Sequence, residues 1–160
     1  MGTALDVLHH FRRIPRLPSL NSLLRRRYLA VAGLNQLHDP NPAKTLLLFA
    51  IEVLRTVTQK PLPNGQSIRV RMGLSIGPVA AGVLGKFRRK YTIMGDAVNL
   101  AVRLEALGEP MQIHLTRKCA DAIGLPLDSL TRRTVTAKGL GELETFLLDP
   151  ETSSSLLQAL

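Results

Sequence analysis

The sequence contains no tryptophan, a single cysteine and few aromatic residues. Phe, Tyr and Trp make up 4% of its 160 residues, so a hydrophobic core must be built from aliphatic side chains. Cys119 excludes an internal disulfide and is compatible with a reducing compartment; within TRKCADAI it is interpreted as a small buried hydrophobic residue, not as a nucleophile. No apolar run approaches the ~20 residues of a membrane-spanning helix. We therefore expect a cytoplasmic chain without a membrane span.

Acidic residues are also scarce, with 12 Asp and Glu against 21 Lys and Arg and a formal net charge of +9. The excess is concentrated in residues 1–27, which hold six arginines and one aspartate, a net charge of +5. A second basic run lies at residues 86–90. Because no RNA-binding signature accompanies either run, we expect no specific nucleic-acid recognition. A basic nucleic-acid-binding domain is the alternative, and salt-sensitive RNA binding without nucleotide binding would favour it.

The composition divides the chain into three segments. Residues 1–27 are rich in Arg and Leu and are interrupted by Pro15 and Pro18. They are predicted to be a basic leader that is either disordered or an organelle-targeting segment; the alternative is that they arise from a wrong start or exon choice. Residues 28–149 form the predicted folded domain, and residues 150–160 form a flexible tail.

Periodicity predicts alternating strands and helices in the folded domain. The clearest helix begins at Pro42, with Asn41 as its cap, and ends near Thr58. Alternation predicts a half-buried strand from Ile68 to Ser75. The order βαββαβ indicates an α+β sandwich with its helices on one face of the sheet. The other predicted elements are a strand at residues 28–34, an extended segment at 79–84, a strand at 91–94, a helix capped by Asp96 and ended by Gly108, a strand at 112–115, a helix at 117–123 capped by Thr116, and strands at 130–135 and 144–148.

Two polar residues share one face of the predicted helix that follows Gly95. Asn99 and Arg103 lie four residues apart and therefore one helical turn apart. An amide and a guanidinium on one face can together hold a charged group such as a phosphate. The alternative is that Asn99 caps locally and Arg103 is a solvated surface cation. The four histidines have no metal-ligand spacing and are predicted not to bind metal.

Four sequence runs occur in an order that belongs to one family. The two longer runs are IRVRMGLSIGPVAAGVLG at residues 68–85 and YTIMGDAVNLAVRLEALGEP at residues 91–110. The two shorter runs are YLAVAGL at residues 28–34 and KGLGELETFLL at residues 138–148. In these runs the chain resembles the class III adenylyl and guanylyl cyclase catalytic domain. The resemblance covers residues 28–149 and implies a ferredoxin-like βαββαβ sandwich that lacks the first strand or strands.

The resemblance implies a site shared between two domains. In this family two domains dimerise head to tail, and a nucleoside triphosphate binds in the interface. Asn99 and Arg103 match the asparagine that positions the ribose and the arginine that stabilises the transition state. Thr92 falls at the position that selects the purine and resembles a bacterial adenylyl cyclase variant, so ATP is expected in preference to GTP. The family reaction forms a cyclic nucleotide and pyrophosphate for intracellular signalling.

The metal-binding half of the family's site is missing from the sequence. The first metal aspartate lies in an early strand that has no counterpart before Tyr28, and Arg26 occupies the position of the second. A guanidinium would repel the ion. Ser22 and Leu140 stand where the family has nucleotide-binding lysines, and Asp96 is interpreted as a helix cap. The Mg²⁺ or Mn²⁺ that the family uses would therefore need ligands from a partner or from missing upstream sequence.

Three interpretations follow from this half-complete motif set. The chain is a fragment of a cyclase domain, a half-site that lends Asn99 and Arg103 to another chain, or a catalytically inactive pseudo-cyclase that dimerises and regulates. We predict a nucleotidyl cyclase domain by descent, more of the adenylyl than the guanylyl type. The expected partner is another cyclase domain in a homodimer or heterodimer. The chain alone is not expected to turn over.

Overall fold

The computed structural model describes residues 3–12, 27–34, 40–60, 65, 67–85, 89–137 and 141–151. Within them the chain forms eight strands and three α-helices, with a 3₁₀ turn at Leu127–Ser129. The strands are β1 Thr3–Arg12, β2 Arg27–Ala32, β3 Arg69–Pro78, β4 Ala80–Leu84, β5 Lys90–Met94, β6 Ile113–Thr116, β7 Thr131–Ala137 and β8 Gly141–Leu148. The helices are α1 Pro42–Gln59, α2 Asp96–Leu107 and α3 Arg117–Ile123.

Six of the described strands form one mixed sheet in the order β2-β1-β3-β6-β8-β7, and β4 and β5 form a separate two-stranded sheet. The β3–β6 pair is parallel, with Gly73 opposite His114, and the other pairs of the large sheet are antiparallel. Antiparallel neighbours can follow a short turn, but a parallel pair needs a long crossover. That crossover contains the β4–β5 hairpin and α2. The predicted α+β class is confirmed.

The hydrophobic core lies between one face of the sheet and helices α1 and α3. The core face of β3 consists of Val70, Met72 and Leu74, none of which is exposed. Helix α1 places Leu47 and Ala50 against this core with no exposed surface. Full burial of one such aliphatic side chain contributes about 1.5–3 kcal/mol, so this layer supplies most of the hydrophobic stabilisation. The other core members include Leu46, Ile51, Leu54, Ile113, Leu115, Cys119, Ala120, Phe146 and Leu148.

The predicted starts of α1 and α3 are confirmed at their caps. The Asn41 side chain accepts a hydrogen bond of 3.0 Å from the Lys44 backbone N–H, and Pro42 opens α1. The Thr116 hydroxyl accepts one of 3.2 Å from the Cys119 N–H at the start of α3. Each cap satisfies a backbone donor that the helix itself leaves unpaired.

Helix α2 packs on the face of the sheet opposite to α1, so the prediction that all helices lie on one face is wrong. Alternate residues of a strand point to opposite faces. In β3 the large apolar residues face α1, whereas Gly73, Ser75 and Gly77 face α2. The predicted half-buried strand is therefore covered on both sides, with Gly73 and Ser75 buried. Small residues on the second face resembled a solvent-facing pattern but instead admit a helix backbone.

Part of the predicted leader belongs to the sheet. Strand β1, Thr3–Arg12, lies between β2 and β3 and pairs antiparallel with both. The prediction of a leader outside the folded domain, and of a missing first strand, therefore does not hold for these ten residues. Their register places Leu5, Val7 and Phe11 opposite three apolar residues of β3, namely Ile76, Leu74 and Val70, and His9 opposite Met72.

The remaining predictions for the chain ends lie outside the described residues. Residues 13–26, which carry most of the arginines of the predicted leader, are among these, and so are residues 152–160 of the predicted tail. Organelle targeting stays a prediction. In the part of the chain that the structure describes, no helix combines the length and apolar character needed to cross a membrane.

Candidate functional site

Helix α2 begins one residue earlier than the sequence predicted. Gly95, not Asp96, is the N-cap residue, with φ +154°, and no side chain caps this end. A Cβ at Gly95 would lie 2.6 Å from the Pro78 carbonyl oxygen, so only glycine fits where the chain leaves β5 and passes the end of β3. The predicted capping role of Asp96 is therefore wrong. Its exposed carboxylate instead occupies the first helical turn, where negative charge is favoured by the helix dipole.

The predicted site residues lie on one continuous strand–helix unit. Asn99 and Arg103 are in α2, the former exposed and the latter half-buried, and they stand one turn apart as the spacing predicted. The Asn99 backbone N–H donates to the Gly95 carbonyl at 3.2 Å, so Asn99 is inside the helix and is not its cap residue. Thr92 lies half-buried in β5, directly opposite Gly82 of β4. Their roles as binding or catalytic residues stay predictions.

The first turn of α2 is fixed to β3 by a buried serine. The Ser75 hydroxyl, fully buried, donates to the Ala97 carbonyl at 2.6 Å. Beside it, a Cβ on Gly77 would meet the Ala97 Cβ at 3.2 Å. A buried hydroxyl with a short, directional bond fixes position more narrowly than an apolar contact does. The helix start therefore has a defined height above the sheet.

The middle of α2 touches the backbone of β3. A Cβ on Gly73 would overlap the Ala101 carbonyl oxygen and lie 2.5 Å from the Glu105 nitrogen. These two helix atoms flank Arg103 along the chain. Because glycine has no side chain, the backbones of the helix and the strand are in direct contact. No flexible side chain lies between them that could rearrange and let the helix shift. The turn that carries Arg103 thus rests directly on the sheet.

A buried ion pair fastens the last turn of α2. Glu105 is 1% exposed; its Oε1 accepts a hydrogen bond of 3.1 Å from the Arg71 Nε and lies 3.0 Å from the Arg71 Nη2 in an ion pair. Arg71 is 22% exposed along its side chain. A carboxylate with so little solvent is tolerated only when it is paired and hydrogen-bonded. The ion pair therefore fixes the rotation of α2 about its own axis relative to β3.

His114 supplies a second polar attachment at the same end. Its Nδ1 lies 2.9 Å from the Leu104 carbonyl oxygen, and its Nε2 lies 2.9 Å from the Thr145 hydroxyl. Burial is the main cause that lowers the pKa of His114, and the Leu104 hydrogen bond opposes it. Both ring nitrogens are therefore used by the protein. Sequence reasoning missed Ser75, Glu105 and His114; the signal for His114 was a polar residue between the apolar, buried Ile113 and Leu115.

The part of the chain that the structure describes contains no cluster of three potential metal ligands among its His, Cys, Asp and Glu side chains. The sequence positions discussed for the missing half, Ser22, Arg26 and Leu140, lie outside the described residues. Cys119 is buried, and burial raises the pKa of its thiol to about 12, which confirms its predicted core role and removes it as a nucleophile.

The β4–β5 hairpin adds an exposed apolar surface next to the site. All five residues of β4 are exposed, and Val83 and Tyr91 stand opposite each other with 60% of each accessible. Leu84 and Met94, with accessible fractions of 50% and 45%, lie on the other face of the hairpin together with Thr92. We call these four exposed apolar residues the hairpin patch. Exposed large apolar side chains on a short hairpin are typical of a surface that a partner covers. The patch lies on the same hairpin as Thr92.

Comparison with known proteins places this geometry among cyclase domains. The family model described as "Adenylate and Guanylate cyclase catalytic domain" matches residues 25–150. The receptor-type guanylate cyclase Gyc76C of Drosophila melanogaster is 32% identical over 139 residues, covering 83% of this chain and 9% of that protein. Atrial natriuretic peptide receptor 2 of Anguilla japonica is 38% identical over 104 residues, covering 63% and 10%. The chain thus spans about a tenth of the length of these relatives.

Solved structures share the fold. The guanylate cyclase domain of RhGC from Catenaria anguillulae, in complex with GTP, matches with a TM-score of 0.73 at 22% identity and covers 91% of this chain and 95% of that one. The catalytic core of a rhodopsin-guanylyl cyclase with converted specificity, in complex with ATPalphaS, matches with a TM-score of 0.74 at 22% identity, covering 91% and 94%. At 22% identity these matches show a shared fold and do not assign a substrate.

Proposed function

Because the chain belongs to the family of adenylate and guanylate cyclase catalytic domains, we propose that it provides the transition-state-stabilising half of a nucleotidyl cyclase site. The observation that carries this proposal is the attachment of α2. Asn99 and Arg103 stand one turn apart on a helix held to the sheet through Ser75, Gly73 and Glu105. Polar groups fixed before the reaction stabilise a transition state without reorganising. A solvated surface cation would need no such support.

The proposed substrate is a purine nucleoside triphosphate. The ribose 3′ oxygen attacks the α-phosphorus, the bond from that phosphorus to the bridging oxygen breaks, and pyrophosphate leaves while the 3′ hydroxyl proton passes to a base. The Asn99 amide orients the ribose, and the Arg103 guanidinium stabilises the negative charge that develops on the phosphoryl oxygens. Mg²⁺ or Mn²⁺ serves the family, and no group of three potential metal ligands occurs among the described residues. We assign its ligands to a partner chain or to upstream sequence.

The hairpin patch is the proposed contact with that partner. A second cyclase domain, either another copy of this chain or a different chain, would cover Val83, Leu84, Tyr91 and Met94 and complete the site. An exposed apolar hairpin gains free energy when a partner covers it. The proposal therefore makes dimerisation and purine selection depend on neighbouring residues of one hairpin.

The purine is selected at Thr92 in this proposal. Its residue type favours ATP, whereas the Drosophila melanogaster relative is a receptor-type guanylate cyclase. A hydroxyl can donate to one base and accept from the other, so the two substrates must be compared directly. Cyclic AMP and cyclic GMP are measured in parallel, and the ratio of the two kcat/KM values assigns the substrate.

The proposal is tested by complementation. The chain is combined with a class III cyclase domain that keeps both metal-binding aspartates but has alanine in place of its own transition-state arginine. Turnover is expected from the mixture and from neither protein alone. Arg103→Ala should lower it by about 10²–10³-fold, while Arg55→Ala, at a 62% exposed side chain on α1, should leave it unchanged.

Three results would contradict the half-site proposal. Normal turnover with Arg103→Ala would show that this guanidinium does not act on the phosphoryl group. Dimerisation and nucleotide binding without turnover in any pairing would instead identify a regulatory pseudo-cyclase. Salt-sensitive RNA binding without nucleotide binding would point to a nucleic-acid-binding domain.

A further inference from the structure

A chain of hydrogen bonds runs from the end of α2 across the sheet to β7. It joins the Leu104 carbonyl to His114 Nδ1 at 2.9 Å, His114 Nε2 to the Thr145 hydroxyl at 2.9 Å, and that hydroxyl to the Arg133 carbonyl at 3.2 Å. His114 and Thr145 are fully buried. We call these four groups the imidazole relay. None of its members is among the site residues that the sequence predicted.

The partners of the relay determine where its protons lie. A carbonyl oxygen can only accept, so His114 Nδ1 must carry the proton that it donates to Leu104. In the neutral ring Nε2 is then an acceptor, and the Thr145 hydroxyl must donate to it. Arg133 offers that hydroxyl a second acceptor, 3.2 Å away. In the neutral state the two hydrogen bonds of the ring therefore run in one direction: Thr145 donates to the ring, and the ring donates to the Leu104 carbonyl of α2.

Protonation of the ring reverses only the far half of the relay. Nε2 then donates to the Thr145 oxygen, and the hydroxyl turns to the Arg133 carbonyl. The charged groups acting on the ring are the Arg133 guanidinium, which lowers its pKa, and Glu109, which raises it. They form a surface ion pair of 3.0 Å and oppose each other. The bond to Leu104 persists in both states.

Leu104 is a position where the helix needs this bond. The last four carbonyls of an α-helix have no partner within it, and the Gly108 N–H donates to Glu105 instead of Leu104. His114 fills the vacancy from β6. A Cβ on Gly108 would lie 3.0 Å from the Leu104 oxygen and 3.3 Å from the His114 Cβ, so glycine at this position leaves room for the ring.

We propose that His114 is a positioning residue for Arg103, which it fixes by donating a hydrogen bond to the carbonyl of the next residue, Leu104. This inference rests on the proposed function for its catalytic consequence, but the hold on α2 is a separate property of the chain. Ser75 fixes the first turn of the helix and His114 the last. The Arg103 guanidinium lies between these two attachments and is held in one orientation relative to the sheet. Less conformational freedom is then lost when it binds the phosphoryl group.

A matched pair of substitutions tests this role. His114→Asn keeps an amide N–H close to the Nδ1 position, whereas His114→Leu has nearly the same size and no donor. In the complemented dimer His114→Leu should lower kcat by about 10–100-fold with little change in KM, and His114→Asn should restore most of it. Equal losses for both variants, or a loss that follows only the folded fraction, would overturn the proposal.

Two measurements need no turnover and separate this inference from the proposed function. The ¹⁵N shifts of the wild-type imidazole should show a proton on Nδ1, and amide hydrogen exchange in His114→Leu should speed up at residues 104–108 but not in the first turn of α2. A proton on Nε2, or unchanged exchange, would refute the hold on α2. If both hold but no complemented wild-type dimer turns over, the proposed function fails and the structural role of His114 stands.

Discussion

Helices α1 and α2 pack on opposite faces of the same strand by different physical means. Helix α1 meets Val70, Met72 and Leu74, which are large, apolar and fully buried. Helix α2 meets Gly73 and Ser75, where the backbone approaches closely and a hydroxyl donates to a carbonyl. Hydrophobic contact is strong but has no direction. Hydrogen bonds and backbone contact have direction, so they fix where a helix sits.

The difference assigns separate tasks to the two faces. The core face supplies stability and tolerates small shifts of α1, which carries none of the proposed site residues. The α2 face contributes less apolar burial but defines the height, tilt and rotation of the helix that carries Asn99 and Arg103. Substitutions on the core face should therefore change the folded fraction, and those on the α2 face should change turnover per folded molecule.

The largest loss of stability is expected from Leu47→Ala. Leu47 has no exposed surface, and truncation of a buried leucine costs about 2–5 kcal/mol. Urea unfolding should show this loss, while kcat per folded complemented dimer stays near the wild-type value. The neighbouring Leu48, 45% exposed, gives the control: Leu48→Ala should cost under about 0.5 kcal/mol. Similar costs for both variants would contradict the assignment of the core.

Breaking the ion pair of α2 should cost nearly as much. Glu105→Gln leaves Arg71 without its carboxylate, and loss of one partner of a buried pair costs about 3–5 kcal/mol; the partial exposure of Arg71 puts the expected cost at the lower end of that range. Glu52→Gln, in an exposed pair with Arg55, should cost about 0–1 kcal/mol. A double-mutant cycle with Arg71→Met should show that the two α2-face substitutions are not additive.

A methyl group at Gly73 should displace α2. The added Cβ would overlap Ala101 O and approach Glu105 N, and overpacking of this kind costs about 1–3 kcal/mol. Turnover of the complemented dimer should fall further than the folded fraction does, because Arg103 moves with the helix. Gly82→Ala, where a Cβ meets nothing within 4 Å, should be near neutral for stability. Equal stability of the two variants would contradict the close approach.

The smallest expected effect is acid sensitivity through His114. Burial lowers its folded-state pKa below the ordinary value of 6.5, so the folded state binds fewer protons than the unfolded chain. Its stabilising contribution is complete above about pH 6.5 and decreases as the pH falls through the lowered pKa. The free energy of unfolding, measured in urea between about pH 7.5 and pH 5, should fall more for wild type than for His114→Asn. Parallel curves would contradict a buried neutral ring.

Local signals in the sequence predicted the local structure well. Asn41 with Pro42 and Thr116 mark helix starts through bonds to residues only three positions ahead, so no tertiary context is needed to find them. The cap of α2 was misassigned by one residue because the requirement at Gly95 comes from the distant Pro78 carbonyl. A close approach between separate segments has no sequence signature of its own.

The features that the sequence did not reveal depend on what covers a surface. Gly73 and Ser75 alternate with apolar residues and so resemble a solvent-facing row, although α2 covers them. Strand β1 was hidden by the arginines and prolines that follow it, since its place depends on pairing with β2 and β3. Asn99, Arg103 and Thr92 were found by motif, whereas the residues that hold α2 were found only in the fold.

The most direct test of the two-face account is a comparison of turnover between Leu47→Ala and Ser75→Ala in the complemented dimer. Loss of the Ser75 hydrogen bond should cost only about 1 kcal/mol, less than the loss of the Leu47 side chain. Ser75→Ala should nevertheless have the lower kcat per folded molecule, because Ser75 holds α2, the helix that carries Arg103. A kcat that is unchanged in Ser75→Ala, or that is reduced more in Leu47→Ala, would contradict the two-face account.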